Sequence, residues 1–286
     1  MLDRPAAAPD LVLRYGGHAD AVIDVYLPPA RGDEDPPQAP GPTPAPAVDS
    51  LGEATDRFRW SAAPPAHLVV FVHGGFWRTR WDRVHARPLA VALRAAGFAV
   101  ALPEYRRGSG RWEETTGDIE TALTAVRRLI ADRLPGHIDP GAPVTVVGHS
   151  AGGHLAMWGA LRTGGRVVDR VVALAPVADL PYADRTAMGD DAVADWLGGH
   201  VDQVPDAYRD ADVSGLLGGP VPVTLIQGGA DEQVPAQMNR LVAQRTGEAP
   251  ASALRYVELP EVEHFALIDP DSTAWPVVLD AIRRRS

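Results

Sequence analysis

Short apolar runs alternate with amphipathic stretches from about residue 68 onward. The runs are rich in Val, Ile and Leu and are bounded by Gly and Pro, which predicts strands buried on both faces. The stretches between them repeat apolar positions at helical spacing. This alternation predicts an α/β fold with a mostly parallel central sheet and helices on both faces. The predicted strands are 68–72, 98–103, 144–148, 168–175, 221–227 and 254–259, and the predicted helices lie near 86–96, 118–134, 151–163, 235–247 and 274–285.

The N-terminal part of the chain shows two further patterns. Residues 11–15 and 21–26 are short strand candidates joined around two glycines, which predicts an opening antiparallel hairpin. Residues 28–50 are dense in proline and acidic residues, so they predict a mobile solvated loop, with a docking site for a proline-reading module as the alternative. The chain length suits one large domain spanning residues 1–286.

The sequence Gly-His-Ser-Ala-Gly at residues 148–152 lies between a predicted strand and a predicted helix. A strand that turns sharply into a helix holds a serine on a strained elbow, and small neighbouring residues allow the chain to double back. Ser150 is therefore the candidate nucleophile, and the N–H group of Ala151 is a candidate donor to an oxyanion. The alternative is a chance match in a glycine-rich chain, which the flanking strand and helix disfavour.

A second motif, His-Gly-Gly-Phe-Trp at residues 73–77, follows the predicted strand 68–72. Two adjacent glycines after a buried strand leave backbone N–H groups unobstructed. Motifs of this kind supply one side of the oxyanion hole in lipases and esterases. The candidate donors on this side are therefore the backbone groups of Gly74, Gly75 and Phe76.

A serine hydroxyl attacks poorly unless a base and an orienting acid accompany it. His264 is the one histidine that follows the last predicted strand and precedes the C-terminal helix, which makes it the candidate base. Asp231 lies in a loop at the carboxyl end of the predicted strand 221–227 and is the candidate acid. The competing acids are Glu232, Asp179, and Asp190 or Asp191.

The order Ser150, Asp231, His264 along the chain is that of the α/β-hydrolase fold and differs from the chymotrypsin and subtilisin orders. From about residue 68 to about residue 269, the chain resembles the α/β-hydrolase superfamily. The segment 73–77 is most similar to that of arylformamidase-like and related small bacterial esterases. Esterases of the hormone-sensitive-lipase type carry a third glycine where this chain has Phe76.

The resemblance implies that residues 179–219, which are too long for a plain connection between strands, form a small cap or lid over the active site. Aromatic side chains in the cap and beside the oxyanion motif are candidates for a pocket that accepts a flat aromatic or short apolar substrate. The alternative is that they pack in a core. The predicted pocket residues are Trp77, Trp81, Trp196 and Phe265.

Composition narrows the possible partners. A formal net charge of −10 argues against nucleic acid and anionic membrane surfaces. The absence of Cys excludes disulfides, a thiol nucleophile and Cys-ligated metals. No dinucleotide or phosphate-loop motif is present, and a serine hydrolase works without a cofactor, so we expect no cofactor. We also expect no metal. The N-terminus lacks a continuous apolar segment, and no run approaches the ~20 residues of a membrane helix, which predicts a cytoplasmic protein.

These patterns predict a serine hydrolase that cleaves a carboxylic ester with a short acyl group through an acyl-enzyme. An aryl formamide of the N-formylkynurenine type is the alternative substrate, and it rests on the resemblance of residues 73–77. A non-catalytic hydrolase-fold module that binds a ligand is a different class of function. Such a module would normally have lost one of the three catalytic residues, and none is missing here.

Overall fold

A computed structural model describes residues 4–28, 66–138, 141, 143–247 and 254–284. Within these residues a single eight-stranded sheet forms the centre of the protein. The strands are β1 (Leu11–Arg14), β2 (Val22–Tyr26), β3 (Leu68–Val72), β4 (Ala99–Pro103), β5 (Thr145–His149), β6 (Arg170–Leu174), β7 (Val223–Gly228) and β8 (Leu254–Leu259). Their spatial order is β1-β2-β4-β3-β5-β6-β7-β8. The pairs from β4 to β8 are parallel and the first two pairs are antiparallel, which confirms the mostly parallel sheet and the opening hairpin.

Helices cover both faces of the sheet, as predicted. The described helices are α1 (Arg87–Ala95), α2 (Trp112–Arg133), α3 (Ala151–Arg162), α4 (Leu180–Arg185), α5 (Met188–Leu197), α6 (Pro205–Ala211), α7 (Ala236–Gly247) and α8 (Trp275–Arg283). The cores of α2, α3 and α7 belong to one apolar cluster, while those of α1 and α8 belong to a second cluster on the other face. None of the described helices combines the length and the apolar character that a membrane crossing requires.

The continuous apolar runs have a direct structural cause. Along β3, Val70 and Val72 point into the first cluster. Val69 and Phe71 alternate with them and point into the second. A strand covered on both faces has no polar side, so its sequence lacks alternation. The parallel strands also bring their carboxyl ends to one edge of the sheet, where the residues after β3, β5, β7 and β8 converge.

Helix α2 begins at Trp112, six residues before the start predicted at residue 118. Gly117 directly precedes the predicted start, and the structure places this glycine inside the helix. Acidic residues in the first turn favour the earlier start because they complement the positive end of the helix dipole. The Thr115 hydroxyl also donates to the Arg111 carbonyl at 2.9 Å. Local interactions therefore extended the helix past the glycine.

The long connection between β6 and β7 contains the three short helices α4, α5 and α6, which were not individually predicted. Their buried side chains join the same apolar cluster as α2 and α3, so this segment packs on that face of the molecule. The predicted loop at 28–50 lies, beyond its first residue, outside the described residues.

A glycine pair allows a stability test of the packing of α3 against β3. A Cβ on Gly152 would lie 2.2 Å from the carbonyl oxygens of Val72 and His73, whereas a Cβ on Gly117 in α2 would meet nothing within 4 Å. We expect Gly152→Ala to lower the free energy of unfolding by at least about 2 kcal/mol through overpacking. Gly117→Ala should raise it by about 0.5–1 kcal/mol because alanine has the higher helix propensity. Urea denaturation of both variants measures this, and equal effects would contradict the close approach at residue 152.

Candidate active site

Ser150 occupies the turn between β5 and α3 with φ of 57° and ψ of −126°. Such a positive φ is strained for a residue with a side chain, and the surrounding structure must hold it. The Ser150 N–H group donates to the Leu174 carbonyl of β6 at 2.9 Å. Glycine is required beside the turn, because a Cβ on Gly148 would lie 2.1 Å from the carbonyl oxygen of Gly152. The elbow predicted from the sequence is therefore the observed local geometry.

His264 begins a short 3-10 helix (His264–Ile268) that follows β8, and Asp231 follows β7. The Nδ1 atom of His264 lies 2.6 Å from Oδ2 of Asp231. Since a carboxylate only accepts, Nδ1 carries the proton, and in the neutral ring Nε2 keeps the free lone pair. The other carboxylate oxygen accepts the backbone N–H groups of Gln233 and Val234, each at 2.8 Å. These bonds fix both the carboxylate and the ring.

Ser150 and His264 line one cavity of about 210 Å³ at the carboxyl edge of the sheet. Its walls include residues 74–76, aromatic rings, two arginines and a kinked segment of the insertion. The lining residues are Gly74, Gly75, Phe76, Arg78, Arg80, Trp81, His85, His149, Ser150, Gly189, Asp190, Gln233, His264 and Phe265.

The motif at 73–77 packs directly against the serine elbow. A Cβ on Gly74 would lie 3.1 Å from Cβ of Ser150 and 2.7 Å from the His149 carbonyl oxygen, so only glycine allows this approach. Gly75 has φ of 120°, and Phe76 has φ of 51°. The N–H group of Ala151 belongs to the first turn of α3 and has no acceptor within the helix. The structure thus brings the predicted oxyanion residues Gly74, Gly75, Phe76 and Ala151 together around Ser150.

A buried network of His73, Glu104 and Arg107 holds the first residue of the motif at 73–77 in place. The Nε2 atom of His73 lies 2.8 Å from Oε1 of Glu104, and Arg107 donates to the same oxygen at 2.6 Å. Burial alone would raise the pKa of Glu104, but His73, Arg107 and a backbone hydrogen bond from Arg83 outweigh it and lower the pKa to about 2. Glu104 was not predicted. Its signal is a carboxylate followed by tyrosine and two arginines immediately after the strand at 98–103.

His149 connects the serine elbow to the histidine loop. Its Nε2 atom donates to the carbonyl oxygen of His264 at 3.1 Å, and the two ring centres lie 4.3 Å apart. Burial, followed by the neighbouring His264, holds the pKa of His149 well below its usual range. His149 is therefore a neutral donor that positions the backbone of His264.

The four predicted pocket residues divide into two pairs. Trp81 and Phe265 line the cavity. Trp77 and Trp196 do not, because both are buried and stack on each other with ring centres 4.5 Å apart and planes 8° apart. The Trp196 indole N–H also donates to the Thr115 hydroxyl of α2 at 3.1 Å. These two rings join the insertion to the core, which corrects their predicted position in the pocket.

The insertion reaches the cavity through a kink at the start of α5. Gly189, Asp190 and Asp191 have φ of 63°, 55° and 56° there. The Arg78 guanidinium donates to the carbonyl oxygens of Gly189 and Asp190 at 2.6 and 3.0 Å. Gly189 also contacts the Phe76 ring so closely that a Cβ would lie 2.7 Å from it. The kink is thus attached to Phe76 and Arg78.

The competing acids occupy other positions. Asp179 accepts the Tyr182 N–H at the start of α4 and pairs with Arg245, and Asp190 and Asp191 lie in the kink. Glu232 is exposed. Among the described acidic side chains, Asp231 is the one that contacts His264. In that same part of the chain, no group of three His, Cys, Asp or Glu side chains is placed to hold a metal ion.

Two histidines with lowered pKa values, the half-buried His85 and the buried His154, make the stability of the protein depend on pH. Burial lowers the pKa of His85 and of His154 to about 4, from 6.5 for an exposed histidine. Below pH 6.5 these two histidines bind protons in the unfolded chain but stay neutral in the folded chain. The free energy of unfolding therefore decreases as the pH is lowered from about 6.5 to about 4, and it has its full value above this range.

We expect the urea midpoint to be lower at pH 5 than at pH 7. In His154→Gln, whose amide can still donate to the Ala211 carbonyl, the dependence should be weaker by up to about 1.4 kcal/mol per pH unit. Urea titrations of both proteins at several pH values measure this difference. Identical slopes in the two proteins would contradict a neutral buried His154.

Comparison with known proteins places the chain among hydrolases. The model of the BD-FAE family matches residues 60–245. Uncharacterized protein Rv2307c of Mycobacterium tuberculosis is 35% identical over 227 residues, which are 77% of this chain and 69% of that protein. Esterase LipQ of the same organism is 26% identical over 221 residues, and the match spans 70% of this chain and half (50%) of LipQ.

Solved structures share the fold. A truncated carbohydrate esterase from gut microbiota has a TM-score of 0.70 at 18% identity, with 96% of this chain and 98% of that chain covered. Thermogutta terrifontis esterase 2, in a form phosphorylated by paraoxon, has a TM-score of 0.63 at 18% identity, with 95% and 91% covered. The sheet and helices described above are therefore those of the α/β-hydrolase fold.

Proposed function

The chain belongs to the BD-FAE family of α/β-hydrolases and is an esterase-like hydrolase, and from this premise we propose that Ser150, His264 and Asp231 form its catalytic triad. The proposed substrate is a carboxylic ester with a short acyl group. The observation that carries the proposal is the 2.6 Å contact of His264 Nδ1 with Asp231 Oδ2, in a histidine that shares its cavity with Ser150.

In the first half of the reaction, Oγ of Ser150 attacks the ester carbonyl carbon, and Nε2 of His264 takes the hydroxyl proton. Asp231 holds the ring in the tautomer that leaves Nε2 free, and its charge stabilises the imidazolium. The carbonyl oxygen gains negative charge next to the N–H groups of Ala151 and of the segment from Gly75 to Phe76. These donors are held in place by the turn and by the buried network behind it, so they need little reorganisation.

The bond to the leaving alcohol then breaks, and His264 returns its proton to the alcohol oxygen. In the second half, water gives a proton to His264 and attacks the acyl-enzyme carbonyl. The carboxylic acid leaves as the proton returns to Ser150. All proton transfers thus pass through Nε2, and no cofactor is needed.

The walls of the cavity support the choice of substrate. A volume of about 210 Å³ suits a small acyl or aryl group. Phe76, Trp81 and Phe265 supply aromatic surface, which favours a flat or short apolar group. An aryl formamide is the second candidate, because the same walls accept an aromatic ring and because residues 73–77 resemble those of arylformamidase-like proteins.

Two measurements test the proposal. A fluorophosphonate probe should attach covalently to Ser150, which mass spectrometry of the digested protein locates. A panel of nitrophenyl acetate, butyrate and decanoate together with N-formylkynurenine should show the highest kcat/KM for the short esters. Failure of the probe to label Ser150 would contradict the triad, and preference for N-formylkynurenine would favour the formamide.

A further inference from the structure

Two arginines of the cavity, Arg78 and Arg80, have no carboxylate partner among the described residues. Arg78 contacts the carbonyl oxygens of the kink, and the Arg80 guanidinium lies over the Trp81 ring, 4.9 Å from its centre. In a chain with a formal net charge of −10, arginines near acidic residues readily form ion pairs, as Arg83 and Arg87 do with Asp24. Arg78 and Arg80 therefore place positive charge that no described carboxylate pairs with on the wall of one cavity.

The other ionisable groups of the cavity offset only part of this positive charge. His85 and His149 are neutral at pH 7, because burial lowers their pKa values. Asp190 is the one acid among the lining residues, and its carbonyl oxygen rather than its carboxylate contacts Arg78. Asp231 is not a lining residue, and its carboxylate is occupied by His264 and two backbone N–H groups.

Arg80 combines a charge with an aromatic platform. A guanidinium presents its N–H donors in a planar fork that matches the two oxygens of a carboxylate. Its position over the indole keeps the guanidinium beside the cavity, and Trp81 itself lines the wall. Arg78 is held by the kink and adds a second positive charge at a fixed place. An aromatic ring that carries a carboxylate could pack against the Trp81 ring and place its carboxylate beside the guanidinium groups of Arg78 and Arg80.

We propose that the substrate is an aryl ester whose ring carries a carboxylate, and that Arg80 is the residue that selects it. This inference rests on the proposed ester hydrolysis and adds the charge of the substrate. Arg80 is a specificity residue and takes no part in the proton transfers of the triad.

The test compares 4-acetoxybenzoate with its neutral methyl ester at the same acetyl bond. The measured quantity is the ratio of kcat/KM for the carboxylate to kcat/KM for the methyl ester, which cancels changes common to both substrates. In Arg80→Gln we expect this ratio to fall about three- to tenfold, mainly through KM, because Arg80 is exposed and exposed ion pairs are weak. Raising NaCl to 0.5 M should lower the ratio of the unmodified protein in the same direction.

Two control variants show whether the change in the ratio comes from the charge at residue 80 or from the loss of any surface arginine. Arg80→Lys keeps the positive charge and should retain part of the preference. Arg128→Gln removes an exposed arginine of α2 that does not line the cavity, and it should leave the ratio unchanged.

The outcomes distinguish this inference from the proposed function. If both esters are hydrolysed, Ser150→Ala abolishes both activities and Arg80→Gln leaves the ratio unchanged, then the inference is wrong and the ester hydrolysis stands. If the unmodified protein hydrolyses neither ester, the ester hydrolysis is wrong. Calorimetric binding of 4-hydroxybenzoate and its methyl ester then decides the part of the inference that concerns Arg80, which is its recognition of an aromatic carboxylate. Tighter binding of the carboxylate that is lost in Arg80→Gln supports it, and any other result overturns it.

Discussion

Ser150→Ala should lower kcat on a short nitrophenyl ester by about 10⁴-fold or more, with little change in the melting temperature. The substitution removes the atom that attacks the carbonyl, while the oxyanion donors and the binding surface stay in place and leave a small residual rate. Alanine also fits the turn, since it has the same Cβ as serine and the positive φ of 57° strains both residues equally. Steady-state kinetics and a thermal melt of the same preparation measure the two effects.

A matched control for this change is Ser109→Ala, because Ser109 is exposed in a loop and does not line the cavity. Its rate should equal that of the unmodified protein. Near-normal hydrolysis by Ser150→Ala, in protein shown to be free of contaminating esterase, would exclude Ser150 as the nucleophile.

Asp231→Asn should lower kcat by on the order of 10³- to 10⁴-fold. Oδ1 of Asp231 accepts two backbone N–H groups, so the amide oxygen of asparagine must take that position. The amide nitrogen then faces Nδ1 of His264, which moves the ring proton to Nε2 and removes the lone pair that accepts the proton of Ser150. The imidazolium also loses its counter-charge. Kinetics with the short nitrophenyl ester measure the loss.

Two acids serve as controls for Asp231. Asp179→Asn keeps an oxygen that accepts the Tyr182 N–H at the start of α4 and loses the pair with the exposed Arg245, so it should cost less than about 1 kcal/mol of stability and little activity. Glu232→Gln alters an exposed side chain and should change both the stability and the activity only slightly. If Asp179→Asn abolished activity while Asp231→Asn retained most of it, the orienting acid would have to be reassigned to the loop after β6.

The strands and the candidate triad could be predicted because their signals are local. A strand covered on both faces has a continuous apolar sequence, and the elbow needs small residues at fixed spacing around Ser150. Asp231 and His264 each follow a predicted strand, and parallel strands bring such loops to one edge whatever the details of packing. The arrangement therefore follows from short patterns and from the topology of the sheet.

The features that were missed depend on contacts between distant parts of the chain. Trp77 and Trp196 are 119 positions apart in the sequence, and their stacking is invisible in either local pattern. The same holds for Arg78 and the carbonyl oxygens of the kink. The start of α2 was missed for a different reason, since a glycine marks a boundary only when its neighbours do not favour helix, and here Glu113 and Glu114 do.

The sheet order also divides the proposed triad between regions of unequal local stability. Ser150 and residues 73–77 follow β5 and β3, which are neighbours in the interior of the sheet, whereas Asp231 and His264 follow β7 and β8 at one side of it. β8 is the outermost strand there and is mostly half-buried. Native proteins unfold locally at weakly buried edge elements more readily than in their central strands. Partial unfolding would thus separate Asp231 and His264 from an intact turn at Ser150, and substitutions that strengthen the β7–β8 pairing would protect activity more than they protect the fold.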